Sequence, residues 1–76
     1  MNKKLTNKAE ALARKLRKSF EFVEFEGYVD DSFETPLIAL WIKTSDGDEK
    51  TVYYGDLMGA WNMYHEARSE VLDFHL

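Results

Sequence analysis

Seventy-six residues, 45% of them hydrophobic and 14% aromatic, are enough for one packed domain and argue against disorder. There is no cysteine, which excludes disulfides and thiolate chemistry. The charged start "MNKKL" is followed by the polar "TNKAEALARK" and no stretch approaches a spanning apolar run, so no signal peptide or membrane helix is predicted and a cytoplasmic protein is expected.

The net charge of −4 hides a division. Residues 1–20 carry +6 and residues 21–76 carry −10. Within the basic part, Leu5, Ala9, Leu12, Leu16 and Phe20 recur at helical spacing, with Ala13 at the edge of their arc. Lys3, Arg14, Arg17 and Lys18 fall opposite, and Lys8 and Lys15 flank the stripe. The pattern predicts an amphipathic helix with a basic back. Either Asn2 caps it, or Asn7 does with Glu10 completing a capping box.

"FEFVEFEGY" alternates aromatic and branched residues with glutamates, which predicts a strand ending at Gly27. Val23 and Phe25 share one face; Phe22, Glu24 and Glu26 share the other. "VDDSFETP" reads as a loop. "LIALWIKT" is apolar on both faces and short, as a central strand should be. "SDGD" then predicts a hairpin turn, and "EKTVYY" the returning strand. A three-residue loop with Gly47 left-handed places Lys43 opposite Glu49. A two-residue loop would place it opposite Lys50, so the former is favoured.

In "GDLMGAWNMYHEARSEVLDFHL", Gly55 breaks the strand and Asp56 is an N-cap type. Leu57, Ala60, Trp61, Tyr64, Ala67 and Val71 form one arc, with Arg68 and Leu72 beside it. Asn62, Glu66, Glu70 and Asp73 lie opposite. The whole chain, residues 1–76, is therefore expected to be one α+β domain: helix, three-stranded antiparallel sheet, helix (α-β-β-β-α). Both helices would pack on one face of the sheet. The inward set is Val23, Phe25, Ile38, Leu40, Ile42, Val52 and Tyr54.

This order and size resemble the double-stranded-RNA-binding domain, with Gly27 after the first strand and Gly47 in the second hairpin. The resemblance is one of layout. That family holds phosphates with a lysine cluster, in a pattern like KKxAK, at the start of its second helix. Here those positions read "GDLMGA", with Asp56 and no lysine. RNA binding in that manner is not expected.

Signals for chemistry are sparse. His65 and His75, ten positions apart on a helix, are about 15 Å apart along the axis and cannot share a metal within one chain. "YHEAR" lacks the second histidine of HExxH. "DGDE" resembles part of a calcium loop, but Lys50 stands where an oxygen ligand is needed. Glu24 and Glu26 on an open face would be hydrated and ionised. No nucleophile with its base is evident, so no enzyme, metal or cofactor is predicted.

The informative surface is the sheet face that the helices leave open. Leu37, Ala39, Trp41 and Tyr53 should point there, with Phe22, Glu24 and Glu26, and aromatic patches of this kind mark contacts. The loop could instead fold over it with Phe33 as a plug. Asp30, Asp31 and Glu34 extend the acidic surface. The expected site is thus Phe22, Glu24, Glu26, Asp30, Asp31, Glu34, Trp41 and Tyr53, and the expected partner is a basic protein. In its sharpest form the chain would imitate the charge of nucleic acid and inhibit a nucleic-acid-binding protein, as small acidic virus-encoded domains do. The alternative is a nucleic-acid-binding module using Arg14, Arg17 and Lys18; the −10 body would repel phosphate, and no aromatic stacking platform accompanies these bases. A third reading is a homodimer across the open sheet face.

Overall fold

The structure is a computed structural model and describes residues 3–75. Its elements are α1 (Lys3–Ser19), β1 (Glu24–Asp30), β2 (Leu37–Lys43), β3 (Glu49–Tyr54) and α2 (Ala60–His75). The sheet is antiparallel with order β1-β2-β3, so β2 is central. The α-β-β-β-α layout expected from the sequence is what the chain adopts.

One core joins all five elements. Leu5, Leu12, Leu16, Phe25, Ile38, Leu40, Ile42, Tyr54, Met63, Ala67 and Val71 are buried together. α1 lies across β1 and β2, and α2 packs on α1. α2 reaches the sheet through Lys50 on β3, which pairs with Glu70 and lies over the Phe74 ring. Ser19 Oγ and Tyr64 Oη share a hydrogen bond of 2.7 Å that ties the two helices.

Asn7 lies inside α1, so the Asn7–Glu10 capping box does not form; capping by Asn2 lies outside the described residues. Gly27 does not end β1 but sits in its middle, opposite Leu40. Its role is close approach. A Cβ built there would stand 2.0 Å from the Ala9 carbonyl oxygen. Only glycine allows α1 to settle onto the strand at this point. The strand consequently runs on through Tyr28 to Asp30.

The β2–β3 hairpin follows the expected three-residue form. Thr44 N–H donates to Asp48 O at 2.9 Å, Gly47 N–H donates to Thr44 O at 3.0 Å, and Lys43 stands opposite Glu49. Gly47 takes φ of 91°, the left-handed value that favours glycine.

α2 departs from expectation at its start. Asp56 is not its cap: residues 55–58 form a turn closed by Met58 N–H on Gly55 O at 3.2 Å, and the helix opens at Gly59, whose carbonyl accepts from Met63 N–H. Lys8 explains the delay. Its Nζ donates to Asp56 O at 3.0 Å and Met58 O at 3.1 Å, taking carbonyls that an earlier start would turn into the helix. Leu57 is left fully exposed. The buried stripe of α2 is Met63, Ala67 and Val71, centred about 50° around the wheel, at about 100° per residue, from the middle of the expected arc, which lies near Tyr64. Trp61 is exposed and meets the His65 ring edge-to-face.

Candidate interaction site

The register builds the open face row by row. Because side chains alternate along a strand, it carries Glu24, Glu26, Tyr28 and Asp30 from β1, Leu37, Ala39, Trp41 and Lys43 from β2, and Glu49, Thr51 and Tyr53 from β3. Across the strands, Tyr28, Ala39 and Tyr53 form one row. Glu26, Trp41 and Thr51 form the next. Glu24, Lys43 and Glu49 form the last, with the lysine between two acids.

Neither helix covers this face, but the loop between β1 and β2 covers part of it. The Phe33 ring meets the Tyr53 ring edge-on at 5.2 Å between centroids. Ala39, flanked by Tyr28 and Tyr53, is fully buried although it points away from the helices. The plug is partial. Tyr28, Phe33 and Tyr53 remain 38%, 46% and 43% exposed, so the loop adds an aromatic ring to the surface while sealing the small residue at its centre.

Trp41 is half-buried and held. Its indole Nε1–H donates to Glu49 Oε1 at 2.8 Å. Beside it, Glu26, Tyr28 and Trp41 line a shallow cleft of about 340 Å³. Tyr28 is a site residue that the sequence reading misses, because that reading closes β1 at Gly27. The signal that could have found it is the period: extended two positions past Gly27, the Glu24–Glu26 alternation brings Tyr28 onto the same face.

The acids are placed unevenly. Glu24 and Glu26 lie on the open face as expected. Asp30 ends β1, and its Oδ1 accepts from Ser32 Oγ at 2.6 Å and Ser32 N–H at 2.9 Å. The Ser32 hydroxyl, then its amide, holds the Asp30 carboxyl below its usual range. Asp31 and Glu34 are exposed in the loop. Phe22 is a correction: it is 74% exposed but sits in the turn before β1, outside the strand rows, because regular pairing begins only at Glu24 opposite Lys43.

The basic residues of α1 are partly used within the fold. Arg17 Nη2 donates to Phe25 O at 2.8 Å on the edge strand. Lys8 holds the β3–α2 turn, with Asp56 Oδ1 also within 3.9 Å. Arg14 and Lys18 are exposed. Glu10, Arg14 and Arg17 of α1 line a groove of about 320 Å³ together with Glu26 and Gly27 of β1, so this stretch of the basic face has acids along it.

Tyr54 carries a buried hydroxyl without a hydrogen-bond partner among the described residues. Burial, with Glu70 and Glu66 adding to it, pushes its pKa up to about 12. This residue faces the helices and belongs to the core. Among the described residues no group of histidines and acids is arranged to hold a metal, and no helix is long and apolar enough to cross a membrane.

No family model, curated protein or solved structure matches the chain. The likeness to the double-stranded-RNA-binding domain therefore rests on element order alone.

Proposed function

We propose that this chain is a small, non-enzymatic interaction domain that binds a basic protein through its open sheet face. The observation that carries the reading is the composition of that face. Tyr28, Phe33 and Tyr53 are exposed rings with the half-buried Trp41 beside them, and Glu24, Glu26, Asp30 and Glu49 rim them with Lys43 the one base in the strand rows. Aromatic anchors within a charged rim are the usual anatomy of a protein contact. In its sharpest form the domain would occupy the basic surface of a nucleic-acid-binding protein and block it.

The test is capture from native lysate, split into nuclease-treated and untreated halves, using the wild type and two variants. Under this reading a stoichiometric basic protein survives nuclease. Replacing Trp41 and Tyr53 with Ser lowers its affinity by roughly 30-fold or more, the scale of a lost anchor of about 2 kcal/mol. Replacing Arg14, Arg17 and Lys18 with Gln leaves it bound. The alternative, a nucleic-acid-binding module, draws on the exposure of Arg14 and Lys18. It predicts enrichment that nuclease destroys and that the triple Gln variant loses. A homodimer through the same face would appear as a concentration-dependent doubling of mass in sedimentation, abolished by the Trp41 and Tyr53 changes.

A further inference from the structure

We propose that the cleft between Tyr28 and Trp41 is a receptor for one guanidinium group, supplied by an arginine of the basic partner. The proposal rests on the reading of the open face as a protein-binding surface, and names what that surface reads.

Three features of the cleft suit this occupant. Two of its three lining residues are aromatic. Trp41 stands directly opposite Glu26, and Tyr28 opposite Ala39, so the two rings are diagonal neighbours on adjacent strands. Diagonal positions are about 7–8 Å apart. A planar group laid across such neighbours can make van der Waals contact, at about 3.5–4.0 Å, with both rings. The shallow, open volume of about 340 Å³ has Glu26, Tyr28 and Trp41 as its lining residues.

The charge is also of the right kind. Glu26 is exposed and makes no ion pair or side-chain hydrogen bond among the described residues, so both its oxygens are open to a donor. A carboxylate accepts the two parallel N–H groups of a guanidinium, while the flat cation stacks on the rings. An ammonium group pairs with the carboxylate as a point charge and offers neither the parallel fork nor a flat face. Finally, one wall is already set. Glu49 takes the indole N–H of Trp41, which fixes the ring before any ligand arrives.

The neighbouring cations bound the proposal. Lys43 follows Trp41 on the same face, but it stands between Glu24 and Glu49. Arg14 and Arg17 lie in the groove on the far side of Glu26. Arg17 is directed to the Phe25 carbonyl, which leaves Arg14 as the cation able to compete for Glu26.

The experiment uses the full chain with Trp61→Phe, so that Trp41 is the only indole emitter. The probes are three acetylated, amidated tripeptides, Gly-X-Gly with X as arginine, citrulline or lysine. Citrulline keeps the shape of arginine and removes the charge. Binding is followed by indole fluorescence and by backbone amide shifts. The arginine peptide is expected to shift residues 26, 28 and 41 and to bind roughly three- to thirtyfold better than the citrulline peptide, the range for a cation stacked on aromatic rings. Glu26→Gln and Trp41→Leu should each lose that preference, and Arg14→Gln should keep or sharpen it. Equal response to arginine and citrulline, shifts that map elsewhere, or lysine binding as well as arginine would overturn the assignment. If a captured partner depends on Trp41 and Tyr53 but is indifferent to Glu26→Gln, this proposal fails and the interaction face stands. If the arginine peptide fills the cleft while no partner uses the face, the reverse holds.

Discussion

Tyr54→Phe separates two consequences of one buried hydroxyl. The Tyr54 side chain is 8% exposed and its hydroxyl has no partner among the described residues. Removing a buried, unsatisfied polar group while keeping the ring's shape should be neutral to stabilising, by about 1 kcal/mol at neutral pH. The second consequence appears only in alkali. Burial and the nearby Glu70 and Glu66 raise the folded-state pKa from 10.0 to about 12. The fold therefore holds the phenolic proton to a higher pH than the unfolded chain does. Below pH 10 the stability is fully present. As pH rises from 10 towards 12 the unfolded state ionises first, and stability is lost. Two pKa units correspond to about 2–3 kcal/mol. That is a large part of the ~3–5 kcal/mol that a core of this size supplies.

The assay is urea unfolding followed by far-ultraviolet circular dichroism, on wild type and Tyr54→Phe, at pH 7, 9, 10, 11 and 12. Other groups titrating in this window do so in both proteins and cancel in the difference. The stability gap should be small and constant to pH 9, then widen in favour of phenylalanine between pH 10 and 12. Parallel curves across that window would refute the burial of the hydroxyl. A variant less stable by 1 kcal/mol or more at pH 7 would refute the claim that the hydroxyl lacks a partner.

Two further perturbations test the way the helices are seated. Gly27→Ala brings a Cβ within 2.0 Å of the Ala9 carbonyl oxygen, a backbone atom that no rotamer change can move. Overpacking of this kind costs about 1–3 kcal/mol or more, so the variant should be largely unfolded at 37 °C by circular dichroism; a wild-type melting curve would show that α1 does not lie as close as described. Lys8→Met removes two charge-assisted bonds to the Asp56 and Met58 carbonyls. A loss of about 1–2 kcal/mol is expected, below the full value because the side chain is partly solvated. Hydrogen exchange should quicken first in residues 58–63, and unchanged protection there would count against the role given to Lys8.

The architecture was legible because its main signals are periodic and local. The Leu5–Ala9–Leu12–Leu16 stripe, the apolar run at β2 and the Asp46-Gly47 turn each fix an element without reference to the rest. What escaped the sequence is what depends on distant atoms. Gly27 looks like a strand end, since glycine often punctuates strands; its true reason lies on α1, eighteen residues earlier. That one error shortened β1 and hid Tyr28. Asp56 looks like a helix cap, but Lys8 captures the carbonyls that would have begun the helix there. In α2 the apolar residues cover more than one face, so Trp61 and Met63 compete for the core. The choice fell to Met63, whose stripe with Ala67 and Val71 lets the helices approach. The acidic open face was legible in outline, because Glu24, Glu26 and Trp41 lie on one side by alternation. The partial cover by Phe33 was not, since no local pattern ties a loop ring to Tyr53.

The divided charge of the chain has a structural resolution that the net value conceals. Two of the α1 bases spend their hydrogen bonds on backbone carbonyls, Arg17 on Phe25 and Lys8 on Asp56 and Met58. Among the described residues the ion pairs, Lys8–Asp56 and Lys50–Glu70, involve no open-face carboxylate. The helices pack on the other face, but Arg14 and Arg17 lie at the β1 edge in a groove that Glu26 also lines, while Lys43 is the base within the open-face rows. At physiological salt, charges farther apart than about 8 Å are largely screened from one another. A partner approaching the open face therefore meets Glu24, Glu26, Asp30 and Glu49 with Lys43 among them and Arg14 beside Glu26, and not the averaged charge of the molecule. The strand rows set acids beside the exposed rings of Tyr28 and Tyr53, while Glu66, Glu70 and Asp73 place further acids on α2.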